Sequence, residues 1–326
     1  MRAIEMKSTG GPDVLEFVEH RDPEAGPGQV LVRAAAIGVG WPDVLFRTGI
    51  YRWMPPLPAT PGAEMSGRIV AIGTGVTGLR LGQKVLVYHF GGGCYAEMIV
   101  VPAASVLPLP EAIDFDAAVS IPNYQVAWAL LHEAARGTDA KTVYVNGAAG
   151  GVGSAVIQIC LHERIPVIAG ARGAAKCAFA TAQGALHAID YGHESVPDRL
   201  LEITDGAGVN LILDHIVGSQ FTECLRALAP MGLIVSFNML GGFPAEDLFR
   251  AMRANLPKSP AVRCFTMHSY DHDPVGKGRI ATAALALFAS GAITPAIHAR
   301  LPLADAAHAH RMLDAREVLG KIVLKP

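Results

Sequence analysis

One seven-residue segment, Gly147-Ala148-Ala149-Gly150-Gly151-Val152-Gly153, restricts the fold of this chain more than any other. It follows an apolar, β-branched run, Thr142-Val143-Tyr144-Val145-Asn146, and precedes a small-residue apolar stretch from Ser154 to Leu161. Strand, glycine turn, helix is the order that leaves backbone N–H groups at a helix N-terminus open to a pyrophosphate. Ala148, Gly150 and Gly153 take the three fingerprint positions, with Gly151 and Val152 between the last two. Such a heptad also fits a tight turn that binds nothing, so its context decides.

The context favours binding. Pro166 to Gly170 reads as a second buried strand and Ala185 to Asp190 as a third. Asn210 to Asp214 and Gly232 to Phe237 supply a fourth and a fifth, and Ala261 to Met267 a sixth. Short apolar runs alternating with helix-like segments are what a parallel, doubly wound sheet requires. The fold class expected is α/β, with a Rossmann sheet.

The end of the second strand bears on the choice of dinucleotide. NAD sites place an acid there for the ribose 2′-hydroxyl. Here the chain reads Ala169-Gly170-Ala171-Arg172-Gly173-Ala174-Ala175-Lys176, with no acid. Arg172 and Lys176 can pair with a 2′-phosphate, and Tyr191 can add a hydroxyl. The competing reading is two solvated basic residues at a helix start. NADPH is therefore expected over NADH.

At 326 residues the chain exceeds one typical core, which implies two domains. A formal net charge of −2 gives no footprint for nucleic acid or an anionic membrane. Met1 to Lys7 lacks a signal-peptide core, and Ile280 to Phe288 is too short to span a bilayer. Five scattered cysteines without a C-x-x-C pair argue against a disulfide framework and a structural zinc knot. These features point to a cytoplasmic protein without membrane insertion.

The first 118 residues differ in texture. Leu15 to Val18, Gln29 to Ala34, Gly67 to Gly73 and Lys84 to Tyr88 read as short strands between Pro/Gly turns, as in a small barrel. The expected division is residues 1–118, completed by 291–326, and a nucleotide domain over 119–290. Helix Ala281 to Ser290 and the stretch Ile293 to Arg300 would lead to a final strand, Lys321 to Leu324, rejoining the first domain. A cleft where the two meet would hold the nicotinamide and the substrate.

The chain resembles the zinc-independent quinone oxidoreductase branch, which includes zeta-crystallin, of the medium-chain dehydrogenase/reductase superfamily. The resemblance runs through Gly10-Gly11-Pro12-Asp13-Val14-Leu15, Gly26 to Val32, Arg47-Thr48-Gly49-Ile50-Tyr51, Pro61 to Gly67, the glycine turn, Pro302 to Ala307 and Arg316 to Lys321. It implies a chaperonin-10-like β domain beside the Rossmann domain, NADPH as cofactor and a homodimer. Where zinc alcohol dehydrogenases carry a ligand cysteine and a ligand histidine, this chain has Gly40 and Ala63, and Cys94 stands alone. No metal is expected. Without a Lewis acid, hydride transfer to an electron-poor quinone or conjugated enone is easier than to a ketone.

The chain also departs from its relatives. An Asn-Phe-x-Asp segment common in the branch reads Gly40-Trp41-Pro42-Asp43, and Val126 replaces a Thr near the carboxamide. Asn123, Tyr124 and Gln125 are candidate substitutes as pocket contacts. The resemblance matches Tyr51 to a Gly-x-Tyr loop, making it the leading pocket hydroxyl, with packing as the alternative. Asp43 would orient the loop or ribose, or cap a helix after Pro42; Trp41 would be an apolar wall. Phe237 and Asn238, after the fifth strand, are candidate nicotinamide or ribose contacts, or loop caps. His268 and His272 have i, i+4 spacing but read as a surface cluster, and His308 and His310 lie on different helix faces. A conjugated-alkene reductase (enone, enal or enoyl thioester) and a cofactor-binding protein with little activity remain open beside a quinone reductase.

Overall fold

The computed structural model describes residues 1–326 and divides them into two units, Met1–Pro122 with Thr294–Pro326, and Asn123–Ile293. In chain order come β1 (Arg2–Glu5), β2 (Glu16–Glu19), β3 (Gln29–Val39), α1 (Trp41–Arg47), β4 (Glu64–Ile72), β5 (Lys84–Tyr88), β6 (Met98–Pro102) and β7 (Val106–Pro108). Helices α2 (Phe115–Ala118) and α3 (Ile121–Ala129) lead to β8 (Val143–Asn146), α4 (Gly151–Glu163), β9 (Val167–Ala171), α5 (Ala174–Ala182) and β10 (His187–Asp190). Then follow α6 (Val196–Ile203), β11 (Val209–Asp214), β12 (Leu228–Ser236), α7 (Leu248–Ala254), β13 (Ala261–Cys264) and α8 (Pro274–Ala289). Strand β14 (Ile297–Pro302), α9 (Ala306–Asp314) and β15 (Lys321–Lys325) complete the chain.

In the second unit six strands form one sheet in the order β10-β9-β8-β11-β12-β13, every pair parallel. Residues such as Val143, Val145, Leu211, Leu213 and Ile234 are fully buried, which explains why the strands read as continuous apolar runs. The order reverses between β8 and β11, so the carboxyl ends of these two strands flank the crevice where open α/β sheets bind ligands.

In the first unit β3 is the hub. It pairs antiparallel with β4, β6 and β15; the seven-stranded sheet runs β14-β15-β3-β4-β5-β7, with β6 joined to β3 off that path. Val30, Ile37, Met65, Val85, Ile322 and Leu324 meet in its core. The final strand thus rejoins the N-terminal sheet, as its apolar pattern implies.

Several boundaries differ from expectation, three of them toward the end of the chain. The sixth Rossmann strand ends at Cys264, because Thr266 caps a 3-10 turn at Met267–Tyr270 by accepting from the His268 N–H. The last helix of the unit starts at Pro274, seven residues early, with Asp273 accepting from the Gly276 N–H at 2.9 Å. The stretch from Ile293 becomes strand only at Ile297.

Candidate functional site

Helix α4 opens at Gly151 behind Gly150, which carries no side chain to cap it. The N–H groups of Gly151, Val152 and Gly153 have no carbonyl one turn earlier to bond, so a positive helix end with open donors faces the carboxyl edge of the sheet. The Ala148 N–H is not among them, because it donates to Gly170 O at 2.9 Å. Ala148, fully buried, therefore ties the turn to β9 rather than touching a ligand. A Cβ on Gly153 would lie 2.7 Å from the Ala148 Cα, so only glycine lets the helix start this close to the strand. The open donors fit a dinucleotide diphosphate.

At the ends of β9 and β10, Asp190 Oδ1 accepts from the Gly173 N–H at 2.8 Å and the Gly192 N–H at 3.0 Å. Those two N–H groups hold the Asp190 carboxyl below its ordinary range. The Tyr191 N–H donates to Ala171 O, so Arg172, Lys176 and Tyr191 all lie at or beside these two strand ends. Phe237 follows β12, its N–H donating to Asp214 O at 3.1 Å. Asn238 Oδ1 accepts from the Met239 N–H at 2.8 Å, which makes Asn238 a cap of its own loop. Sequence reasoning missed Asp190 and Asp214, whose roles rest on backbone groups that no residue pattern reveals.

Tyr124, expected in the substrate pocket, belongs instead to the core of α3. It is 2% exposed, donates to Gln158 Oε1 at 2.7 Å, and meets Phe288 edge-on. Asn123 is half-buried on the same helix.

The first unit holds a buried polar cluster. Asp43 sits at the third position of α1 rather than at its N-cap, which is Gly40, and it caps the helix from there, its Oδ2 accepting from the Gly40 N–H at 2.8 Å. The same oxygen accepts from Tyr95 Oη at 3.1 Å, which also lies 3.1 Å from His310 Nε2. Lys321 pairs with Glu64, and Arg47 with Asp314 at 2.9 Å. Burial, then the nearby Glu64 carboxylate, pushes the Asp43 carboxyl up to about 7. Burial, then Arg47, pushes the His310 imidazole down to about 3. His310 is thus a neutral core residue on the buried face of α9, whereas His308 is exposed. Burial raises the Cys94 thiol well above its usual range, which makes it no nucleophile.

Capped by Asp43, α1 presents Trp41 at its first turn and feeds the loop that carries Tyr51. The Tyr51 N–H donates to Leu45 O at 3.1 Å, and its ring lies 5.5 Å from that of Trp53. The loop also exposes Ile50. His268 pairs with Asp271 at 2.8 Å in the second unit, so the neighbour it engages is that carboxylate.

Residues 26–111 match the family described as "Alcohol dehydrogenase GroES-like domain", and residues 183–324 that described as "Zinc-binding dehydrogenase". The whole chain is similar to a quinone oxidoreductase of Pseudomonas aeruginosa, at 32% identity over 99% of that protein. It is equally similar, at 32% identity over 84% of the relative, to the synaptic vesicle membrane protein VAT-1 homolog of Rattus norvegicus. The fold superimposes on an Escherichia coli quinone oxidoreductase complexed with NADPH, with a TM-score of 0.90, 27% identity and all of both chains covered.

The zinc of the second family's description does not fit these residues. No three His, Cys, Asp or Glu side chains converge on one point. A Cβ on Gly40 would lie 3.7 Å from Lys321 Nζ, so an ammonium occupies the neighbourhood where a ligand side chain would reach. A cation beside that position opposes binding of another.

Asp43 and His310 make opposite contributions to stability. The folded Asp43 takes up its proton near pH 7, and the unfolded one near 3.8, so its contribution falls as pH rises through that interval. The unfolded His310 takes up a proton near 6.5 that the buried ring accepts only near 3, so its contribution rises over that range. Asp43→Asn deletes only the first. Urea unfolding from about pH 4 to 6.5 should show the variant's stability climbing more steeply with pH than the wild type's. Parallel curves would mean that Asp43 titrates like a surface carboxylate.

Proposed function

Because the chain belongs to the zinc-independent quinone oxidoreductase branch of the medium-chain dehydrogenase/reductase superfamily, we propose that it reduces a quinone with NADPH. The observation that carries this reading is the uncapped start of α4 with Arg172 and Lys176 beside the end of β9. When bound, NADPH supplies the hydride. The open N–H groups of Gly151, Val152 and Gly153 receive the diphosphate. Arg172 and Lys176 receive the 2′-phosphate, with Tyr191 beside them. Asp190 stays ionised at the end of β10, its Oδ1 taken by the Gly173 and Gly192 N–H groups, so Arg172 and Lys176 must outweigh its charge.

The unit of Met1–Pro122 and Thr294–Pro326 carries the acceptor. Tyr51 donates a hydrogen bond to the acceptor oxygen as negative charge develops there. Trp41, Ile50 and Trp53 offer the apolar surface an aromatic acceptor needs. Asp43 positions Tyr51 through the cap of α1 and the Leu45 carbonyl.

The reading extends to assembly and location. Strand β13 ends its sheet, and the Phe265 N–H donates back to Ser236 O. By strand alternation the Val262 and Cys264 N–H groups face the open edge. Phe249, Leu256 and Val275 are exposed on the same unit. A second copy pairing along this edge makes a homodimer. No helix is long and apolar enough to cross a membrane, and all five cysteines are free thiols, which supports a cytoplasmic setting.

Arg172→Ala should raise KM for NADPH about tenfold while leaving that for NADH within about twofold; equal effects on both would remove Arg172 from 2′-phosphate recognition. Tyr51→Phe should lower kcat with a quinone at least about tenfold at unchanged NADPH affinity, and full turnover would eliminate its hydroxyl from the reaction. Light scattering should give twice 34.3 kDa for the wild type and that mass for Val262→Pro; a monomeric wild type would refute the edge pairing.

A further inference from the structure

His215, immediately after β11, has no part in the site as described so far. Its ring is nonetheless the side chain nearest the first residue of the glycine turn. Gly147 has φ +73°, and a Cβ built on it would lie 1.9 Å from His215 Nε2 and 2.6 Å from Cδ2. A Cβ on Gly150 would lie 3.9 Å from His215 Cε1. Glycine at 147 is thus required twice, by its backbone conformation and by the imidazole beside it. On its other side the ring lies 5.6 Å from that of Phe237, inclined at 34°. The imidazole therefore spans the carboxyl edge of the sheet from β8 to β12.

This placement is built into the backbone. Asp214 Oδ1 accepts from the Ile216 N–H at 2.7 Å, the Val217 N–H at 3.1 Å and Asn146 Nδ2 at 3.0 Å. His215 O accepts from the Leu240 N–H at 3.1 Å, and Ile216 O from the Gly241 N–H at 2.7 Å. The segment carrying His215 is fastened to β8 on one side and to the loop after β12 on the other. Its side chain remains half-buried at the crevice where the strand order reverses.

The order of strands says which part of a dinucleotide would lie there. Arg172 marks the end of β9, the open N–H groups of α4 follow β8, and His215 follows β11. A ligand with its 2′-phosphate at Arg172 reaches β11 only with its nicotinamide half. We propose that His215 is a cofactor-recognition residue whose imidazole N–H receives the nicotinamide-side phosphate of the diphosphate. Asp214 is the positioning residue that holds it there. The proposal rests on the reading of the chain as an NADPH enzyme and adds a specific donor that the glycine fingerprint does not include. An imidazole N–H and a positive helix end then converge on one anionic group from two elements.

Calorimetric titration with NADPH and with 2′,5′-ADP, which lacks the nicotinamide half, tests this on the wild type, His215→Ala and His215→Asn. His215→Ala should weaken NADPH binding about tenfold and leave 2′,5′-ADP within about twofold. His215→Asn, which keeps a donor, should recover most of the loss. Unchanged NADPH affinity in His215→Ala would overturn the proposal, as would equal weakening for both ligands, which would mark general damage to the unit. An Asn variant as weak as the Ala variant would also overturn it, because packing rather than hydrogen bonding would then be at stake. A wild type that binds neither ligand would sink the NADPH reading itself, an outcome distinct from these.

Discussion

Asn146 and Asp214 end the two strands between which the parallel sheet changes direction, and the 3.0 Å hydrogen bond joining them holds that reversal together. A parallel sheet presents its strand ends as separate loops, and nothing in the ladder itself fixes how they splay beyond the last pair. Here the Asp214 carboxylate does so, taking one side-chain and two backbone donors on a single oxygen. Burial pushes its carboxyl above the ordinary range, and those three donors oppose the rise. The glycine turn departs from Asn146, and the His215 segment departs from Asp214. The geometry of the dinucleotide edge follows from this pair.

The first unit answers a different electrostatic problem. Asp43, Glu64, Lys321, Tyr95, Arg47 and His310 are all at least nine-tenths buried. Glu64 has Lys321, and Arg47 has Asp314. Asp43 has no cation of its own and relies on the Gly40 N–H and the Tyr95 hydroxyl, so its charge is the most weakly compensated. Buried ionic groups of this kind add little net stability, yet removing one partner of a pair costs about 3–5 kcal/mol. Such an arrangement fixes one geometry for α1 and for the Tyr51 loop it feeds.

The sheet strands were legible because both of their faces are buried, which writes apolar continuity into the sequence, and the glycine turn because only certain residues make it. The buried cluster was not. Glu64 and Lys321 are 257 residues apart, and Tyr95 and His310 are 215 apart. Each looks like an ordinary surface or packing residue until β3 brings β4 and β15 to its two sides. Tyr124 was misplaced for the same reason, since its partner Gln158 lies on another helix. The start of α8 went unread because its first turn is set by Asp273 and Pro274, whereas the apolar pattern strengthens only later.

The replacement of metal ligands by Gly40 and Ala63 has an electrostatic counterpart that composition alone does not reveal. Lys321 brings a fixed positive charge to within reach of position 40, but Glu64 neutralises it. The pair therefore lends little field to a developing oxyanion, and the proposed reaction relies on the Tyr51 hydroxyl as its donor from this unit. A single neutral donor stabilises far less charge than a Lewis acid does. The proposed reaction accordingly calls for acceptors that spread the incoming negative charge over their own conjugated atoms, which is the chemical property that separates a quinone from a simple ketone.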